Sequence, residues 1–215
     1  MEYIGKSGQY FGHERNEMLA FLPTNAKHVL EVGCGRGVFA AAIKKKTGAE
    51  IWGIELVEKE AEIAKMVIDN VFVGPCEDHI NMLPEGYFDV AYFNDVLEHL
   101  VDPYAVLAII KDKLKSGGIV ISSIPNMRFH KVLKNLVLHG DWEYKDDGIL
   151  DRTHLRWFTK KSIRNMYENL GFTVEEHVGI SRTRSLKPIL YNIPMLFTGM
   201  DMRFQQFATV ARKTV

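Results

Sequence analysis

The residues best suited to chemistry stand in one short run, Asn94-Asp95-Val96-Leu97-Glu98-His99-Leu100, directly after the apolar "YFDVAYF". Two acids and a histidine at the exit of an apolar strand are either helix-start charges, with His99 bonded to a backbone carbonyl, or parts of a reaction site. A second group, "LDRTHLRWF", brings Asp151, Arg152, His154, Arg156 and Trp157 together. His99 and His154 are the candidate general bases, because imidazole exchanges protons near neutral pH. Asp151 and Arg152 could pair and Trp157 pack beneath them, which makes the segment structural; the arginines could instead meet an anionic group of a substrate. Asn126, His130, Trp142 and Tyr144 are candidates to line the same pocket.

A third group is "VLEVGCGRG", with Gly33, Gly35 and Gly37 where a strand turns into a helix. Glycines there permit tight backbone geometry and close approach of a ligand. A G-x-G pair serves dinucleotides and S-adenosylmethionine alike, so the discriminating residue is Glu31. A pyrophosphate at this helix start would be repelled by that carboxylate, whereas the ammonium and sulfonium of S-adenosylmethionine are attracted to it. Val38 also stands where the dinucleotide pattern has its third glycine, which argues against a nicotinamide-dependent oxidoreductase or epimerase. Glu55 closes "WGIEL" about twenty residues beyond the loop, where a carboxylate can accept both ribose hydroxyls.

These groups need a frame to hold them. Short apolar runs alternate with helical patterns, without an internal repeat or low-complexity linker, as in a parallel α/β sheet. Strands are predicted over 28–32, 51–54, 71–73, 88–93, 119–124, 172–178 and 207–211. Helices are predicted over 37–46, 58–70 and 162–170, with another running from the Asp102-Pro103 start signal to Gly117-Gly118. Two segments exceed ordinary connections. Residues 126–158 read as a substrate lid inserted after strand five. Residues 179–203 include "LKPILYNIPMLFTGM" and read as a cover for the sheet or lid, with a membrane-surface or lipid contact as the alternative.

The 215 residues, 47% hydrophobic and 25% charged, suit a single domain with a full core. Basic and acidic residues balance at 27 each, so no general nucleic-acid binding is expected. Cys34 and Cys76 lie far apart and form neither a disulfide framework nor a zinc ribbon, which fits a reducing compartment. The polar start and the absence of a spanning apolar run point to a cytoplasmic protein without a transmembrane segment.

"VLEVGCGRG", "GIEL", "YFDVAYFNDVLEHLVDP" and "LKSGGIVISSIPN" follow one another in the order and spacing of class I S-adenosylmethionine-dependent methyltransferases. The chain resembles that family over residues 27–178. Its "GILDRTHLRWFT" resembles a segment of bacterial members found with cell-surface polysaccharide and glycosyltransferase functions. The resemblance implies a Rossmann-like seven-stranded, mostly parallel sheet with helices on both faces and an antiparallel last strand, to which "QFATVARK" is similar. It implies S-adenosyl-L-methionine as cofactor, with Glu31 and the backbone of Gly33, Cys34 and Gly35 at the methionine end. Glu55, with Leu56 beside it, would hold the ribose, and the Asn94 backbone the amino group. The family's adenine clamp reads Gly-Asp-small-acid; here Gly74-Pro75-Cys76-Glu77 puts proline in place of the Asp, leaving the Cys76 backbone with Glu77 or Asp78. Tyr10 and Arg15 either face the methionine carboxylate or belong to a surface helix.

Asp95-x-x-Glu98-His99 with His154 is also similar to the acid-x-x-Glu-His pattern of small-RNA ribose methyltransferases and ubiquinone-biosynthesis O-methyltransferases, which use a divalent metal. Asp95 reaches less far than the Glu of those proteins. Cap, base and metal site therefore stay open for this stretch. The expected activity is methyl transfer to a small-molecule acceptor, a hydroxyl of a sugar or related metabolite. The alternative within the family is a non-catalytic S-adenosylmethionine-binding subunit, for which Pro75 is the hint.

Overall fold

The computed structural model describes residues 15–214. A seven-stranded sheet runs in the order β3-β2-β1-β4-β5-β7-β6. Its first five strands are β1 (His28–Val32), β2 (Glu50–Glu55), β3 (Asn70–Val73), β4 (Phe88–Asn94) and β5 (Leu114–Pro125), all parallel. β6 (Phe172–Arg182) forms the edge, and β7 (Phe204–Lys213) pairs antiparallel with both β5 and β6. The expected architecture is therefore present, the antiparallel last strand included.

Side chains alternate across the sheet because successive strand residues point to opposite faces. Val90 and Tyr92 of β4 join Phe39, Ala40 and Ile43 of α1 (Val38–Thr47) and Ala64 of α2 (Glu58–Ala64). Ala91 and Phe93 face α4 (Pro103–Lys113) and α6 (Lys160–Asn169), meeting Leu107, Ile110, Ile163 and Met166. Burial of Phe39, Ile43, Leu107, Ile110, Ile163 and Met166 contributes roughly 1.5–3 kcal/mol each. The short α3 (Cys76–His79) follows β3. α4 starts where the sequence indicates: the Asp102 carboxylate accepts from the Tyr104 and Ala105 amides at 3.0 Å, with Pro103 at the first helical position.

Three boundaries differ from the sequence reading. α2 ends at Ala64 rather than near residue 70, because Met66 and Val67 bond back three residues and swing Ile68 into the core; Asp69 then accepts from the Ile51 amide at 2.8 Å. α4 ends at Lys113, since Leu114 is already extended and pairs with Phe88. β6 and β7 run on as a long hairpin to the Arg182↔Phe204 pair. Gly179 makes that extension feasible, because the Phe204 ring lies where any β-carbon at 179 would sit. Residues 183–203 thus connect two long strands and contain α7 (Lys187–Asn192). Among the described residues no helix is long and apolar enough to cross a membrane.

Candidate active site

A cleft of about 1080 Å³ opens at the carboxyl ends of β1, β2 and β4, where the strand order reverses between β1 and β4. Open α/β sheets bind ligands at this point, since the two neighbouring crossovers leave in opposite directions. Glu31, Gly33, Cys34, Gly35, Glu55, Leu56, Cys76, Glu77, Asn94, His99 and His154 all line it. The residues singled out from sequence are thus brought together. Asp78 is exposed and is not on the wall, and Tyr10 lies outside the described residues.

The glycine loop is built to bring backbone close to a ligand. Gly33, Gly35 and Gly37 have φ of 72°, 52° and 77°, the left-handed region that costs other residues strain. A β-carbon on Gly33 would lie 2.6 Å from a methyl of Val96. The Gly33 and Cys34 amides both donate to the Ile54 carbonyl. Glu55 ties the loop to the end of β2, accepting from the Gly35 and Val57 amides, each at 2.8 Å.

Two buried carboxylates, Glu31 and Glu55, face this loop, and among the described residues neither forms an ion pair. Burial pushes the Glu31 carboxyl well above its ordinary range and the nearby Glu55 adds to that, with partial relief from the Ala40 amide. Glu55 is raised by burial as well. Among the described residues, Glu31 Oε2 and both amide atoms of Asn94 are buried without a hydrogen-bond partner. Such orphans carry a desolvation cost that a cationic, hydrogen-bonding ligand would remove.

The third orphan is Glu98. It sits on the 3₁₀ turn Leu97–His99, is 1% exposed, and among the described residues neither carboxylate oxygen has a hydrogen-bond partner. Its pKa is pushed up to about 8, chiefly by burial, with Arg15 opposing and Asp151 adding to the shift. Glu98, His99 and His154 present ligand atoms within 4.8 Å of one another. His154 Nε2 is 4.0 Å from Glu98 Oε1, and the two imidazole rings cross edge to face at 4.6 Å.

Both rings are oriented from behind. His154 Nδ1 lies 3.0 Å from the Ile149 carbonyl, and His99 Nδ1 lies 3.1 Å from the Thr153 carbonyl. A carbonyl only accepts, so each Nδ1 carries the proton and Nε2 keeps its lone pair. Asp151, 1% exposed, fixes the turn by accepting from the Thr153 amide and hydroxyl at 2.9 and 2.8 Å. The Glu98 carbonyl then accepts from the Leu155 and Arg156 amides, which fastens the segment to β4's exit.

Several sequence expectations are corrected. Asp95 does not join the cluster: its carboxylate meets Arg15 and accepts from Gln206 Nε2 at 2.7 Å and Ser123 Oγ at 3.2 Å. Arg15, while paired with Asp95, stands on the cleft wall. Asp151 does not pair with Arg152, which meets Asp146, while Arg156 donates to the carbonyls of Val101 and Leu155. Asn126 is structural, its amide donating to the carbonyls of Asp201 and Phe204. His130 lines a separate cavity, and Trp142 and Tyr144 pack around Trp157 away from the cleft. Two contributors were missed, the Asn94 side chain and Gln206. Two glutamines side by side entering an apolar strand, "FQQFATVA", were the available signal for the second.

A family profile described as a methyltransferase domain matches residues 6–177. The chain belongs to the class I S-adenosylmethionine-dependent methyltransferases. The ubiquinone biosynthesis O-methyltransferase of Thiobacillus denitrificans is 37% identical over 168 residues, 74% of this chain and 70% of that protein. The protein of the same name from Shewanella sp. (strain ANA-3) is 26% identical over 161 residues, 72% and 67% of the two chains. An S-adenosylmethionine-dependent methyltransferase from Archaeoglobus fulgidus has the same fold, with a TM-score of 0.67 at 20% identity, covering 96% of this chain and 95% of that one. This methyltransferase is therefore an enzyme that uses S-adenosylmethionine, and the nicotinamide alternative falls away. These relatives carry a quinone-biosynthesis name in place of the polysaccharide association that the resemblance implied. The orphaned, anionic wall at Glu31 fits a cofactor bearing an ammonium and a sulfonium, and the Glu98, His99 and His154 donor set fits a divalent ion such as magnesium, manganese or zinc.

Proposed function

We propose that this enzyme methylates a hydroxyl of a small, ring-bearing acceptor held beside Glu98, His99 and His154. The observation that carries the reading is the buried Glu98 carboxylate, without a hydrogen-bond partner among the described residues, within reach of His154 Nε2 and a ring nitrogen of His99. In this reading Glu31, the amide side chain of Asn94 and the Gly33 to Gly35 backbone hold the methionine end of the cofactor. Glu55, with Leu56 beside it, takes the ribose, and the Cys76 backbone with Glu77 takes the adenine.

The sulfonium methyl is already activated, so the protein's task is alignment and removal of the acceptor's proton. A divalent ion held by Glu98, His99 and His154 would supply Lewis acidity that lowers the acceptor hydroxyl's pKa. The chain contributes the rest. The carbonyls of Ile149 and Thr153 hold each Nδ1–H, which fixes the rings and raises the basicity of Nε2. Where no ion is held, Nε2 of His99 or His154 is instead the candidate to take the proton. Asp147, Gly148 and Ile149 reach the cleft wall from residues 126–158, which supports assigning that segment as the substrate lid.

Oxygen as the accepting atom is supported by the relatives' names, which favour a phenolic hydroxyl. A sugar hydroxyl is the second reading, favoured by the polar wall of Gln205, Gln206 and Asp147. Turnover of S-adenosylmethionine with a catechol acid and with nucleotide sugars separates the two. Methylation of the catechol oxygen is expected; transfer confined to nitrogen acceptors would overturn the proposal.

A further inference from the structure

A second cavity, of about 540 Å³, adjoins the cofactor cleft. Asp147, Gly148, Ile149 and Gln205 line both spaces, so residues 147–149 and the start of β7 form the partition between them. One wall of the cavity is α5 (His130–Lys134), which follows closely on β5. Asn126 turns the chain into it: its side chain accepts from the Arg128 amide and its carbonyl from the Phe129 amide, both at 3.0 Å. Phe129 and Val132 then bury against Leu150, which seats the helix beside the partition.

His130, the first residue of α5, lines this cavity and is 3% exposed, and among the described residues neither of its ring nitrogens has a hydrogen-bond partner. Burial, with Lys131 and Lys187 nearby, holds its pKa below the ordinary histidine range. The ring is therefore neutral at pH 7, with one nitrogen to donate and one to accept. Two such orphans carry a desolvation cost that a ligand offering both a donor and an acceptor would remove. The charges around the ring favour neither sign, since four lysines, Lys131 and Lys187 among them, stand against Asp141, Glu143 and Asp147. A hydroxyl both donates and accepts, so a polyhydroxyl group can serve both nitrogens without a charge of its own. Phe129, Val132 and Ile149 line the same space and suit the C–H face of a sugar-like ring.

We infer that this cavity is a second subsite for the methyl acceptor, where His130 receives a neutral polyhydroxyl arm such as a sugar ring. Its volume falls in the range of small-molecule sites, roughly 300–1,000 Å³. Ile149 links the subsite to the reacting end: it lines both spaces, and its carbonyl holds His154 Nδ1 at 3.0 Å. An acceptor lying across residues 147–149 would meet Glu98, His99 and His154 with one end and His130 with the other. The inference rests on the proposed placement of the acceptor beside that cluster, and it holds whether the methylated hydroxyl is phenolic or belongs to a sugar. His130 is then a specificity-determining residue with no part in the proton transfer.

The test compares the glucoside, the phosphate ester and the hexyl ether of one catechol alcohol. Affinities are measured by calorimetric titration of the full chain saturated with S-adenosylhomocysteine in magnesium buffer, and methyl transfer to each by initial rates. The glucoside is expected to bind about tenfold more tightly than either of the others, the size of two net hydrogen bonds. His130→Leu should abolish that preference, and His130→Gln, which keeps a donor and an acceptor, should retain part of it. Both variants should bind S-adenosylhomocysteine as the parent does, which separates a lost subsite from misfolding. Equal affinity for the three arms in the parent, a preference for the phosphate or the hexyl arm, or a glucoside preference that survives His130→Leu would overturn the inference. Methylation of all three arms at equal affinity would overturn the subsite alone, whereas a glucoside bound through His130 and never methylated would support the subsite and overturn the proposed reaction.

Discussion

Glu98 shows how one side chain couples the site to the stability of the whole chain. Its carboxyl titrates near 8 in the folded protein, above the ordinary carboxylate value, because burial disfavours the charged form. Between those two values the unfolded chain has released the proton while the folded chain still holds it. Stability is therefore fullest below the ordinary glutamate pKa and falls as pH rises toward 8. In metal-free buffer, Glu98→Gln should remove this component, on the order of 5 kcal/mol across the window. Chemical denaturation of both proteins at several pH values measures it, and parallel pH profiles would show that Glu98 is not the titrating group. The sequence marked Glu98 as a charge of interest, but its burial depends on the 151–156 turn arriving from far along the chain.

At the scale of elements, what was legible depended on whether local signals sufficed. The strand, glycine loop and helix from His28 to Thr47 and the Asp102-Pro103 start of α4 carry their own caps and patterns, and they stand close to where the sequence puts them. The loop's demand on Gly33 is correspondingly sharp. Gly33→Ala would set a β-carbon against Val96 and force a left-handed φ on alanine, costing about 1–2 kcal/mol. Calorimetric titration with S-adenosylhomocysteine should show affinity reduced by roughly tenfold, since that strain falls in the bound geometry. Unchanged affinity would contradict the close backbone approach. Residues 126–158 were less legible, because long-range contacts choose their partners. Asp151 and Arg152 are adjacent in sequence, but Asp151 serves Thr153 and Arg152 meets Asp146. The hairpin of β6 and β7 outran its prediction for a similar reason: Gly179 and Phe204 fit together only across strands.

For the whole molecule, the sheet gathers the residues proposed to hold the cofactor at the ends of β1, β2 and β4 and sets the Glu98, His99 and His154 cluster beside them. This arrangement makes the site incomplete from any single stretch of sequence, since the Glu98 carbonyl, the His99–Thr153 contact and the Asp151 turn bring His154 to β4's exit. In the proposed reaction this cluster activates the acceptor hydroxyl with a divalent ion. The direct measurement is catechol O-methylation by chelator-treated enzyme, with and without added magnesium or manganese, for the parent protein and for His154→Ala. Chelation is expected to abolish transfer and the ion to restore it in the parent, whereas His154→Ala should stay inactive while still binding S-adenosylhomocysteine. Full activity in chelator, or a His154→Ala variant as active as the parent, would contradict it.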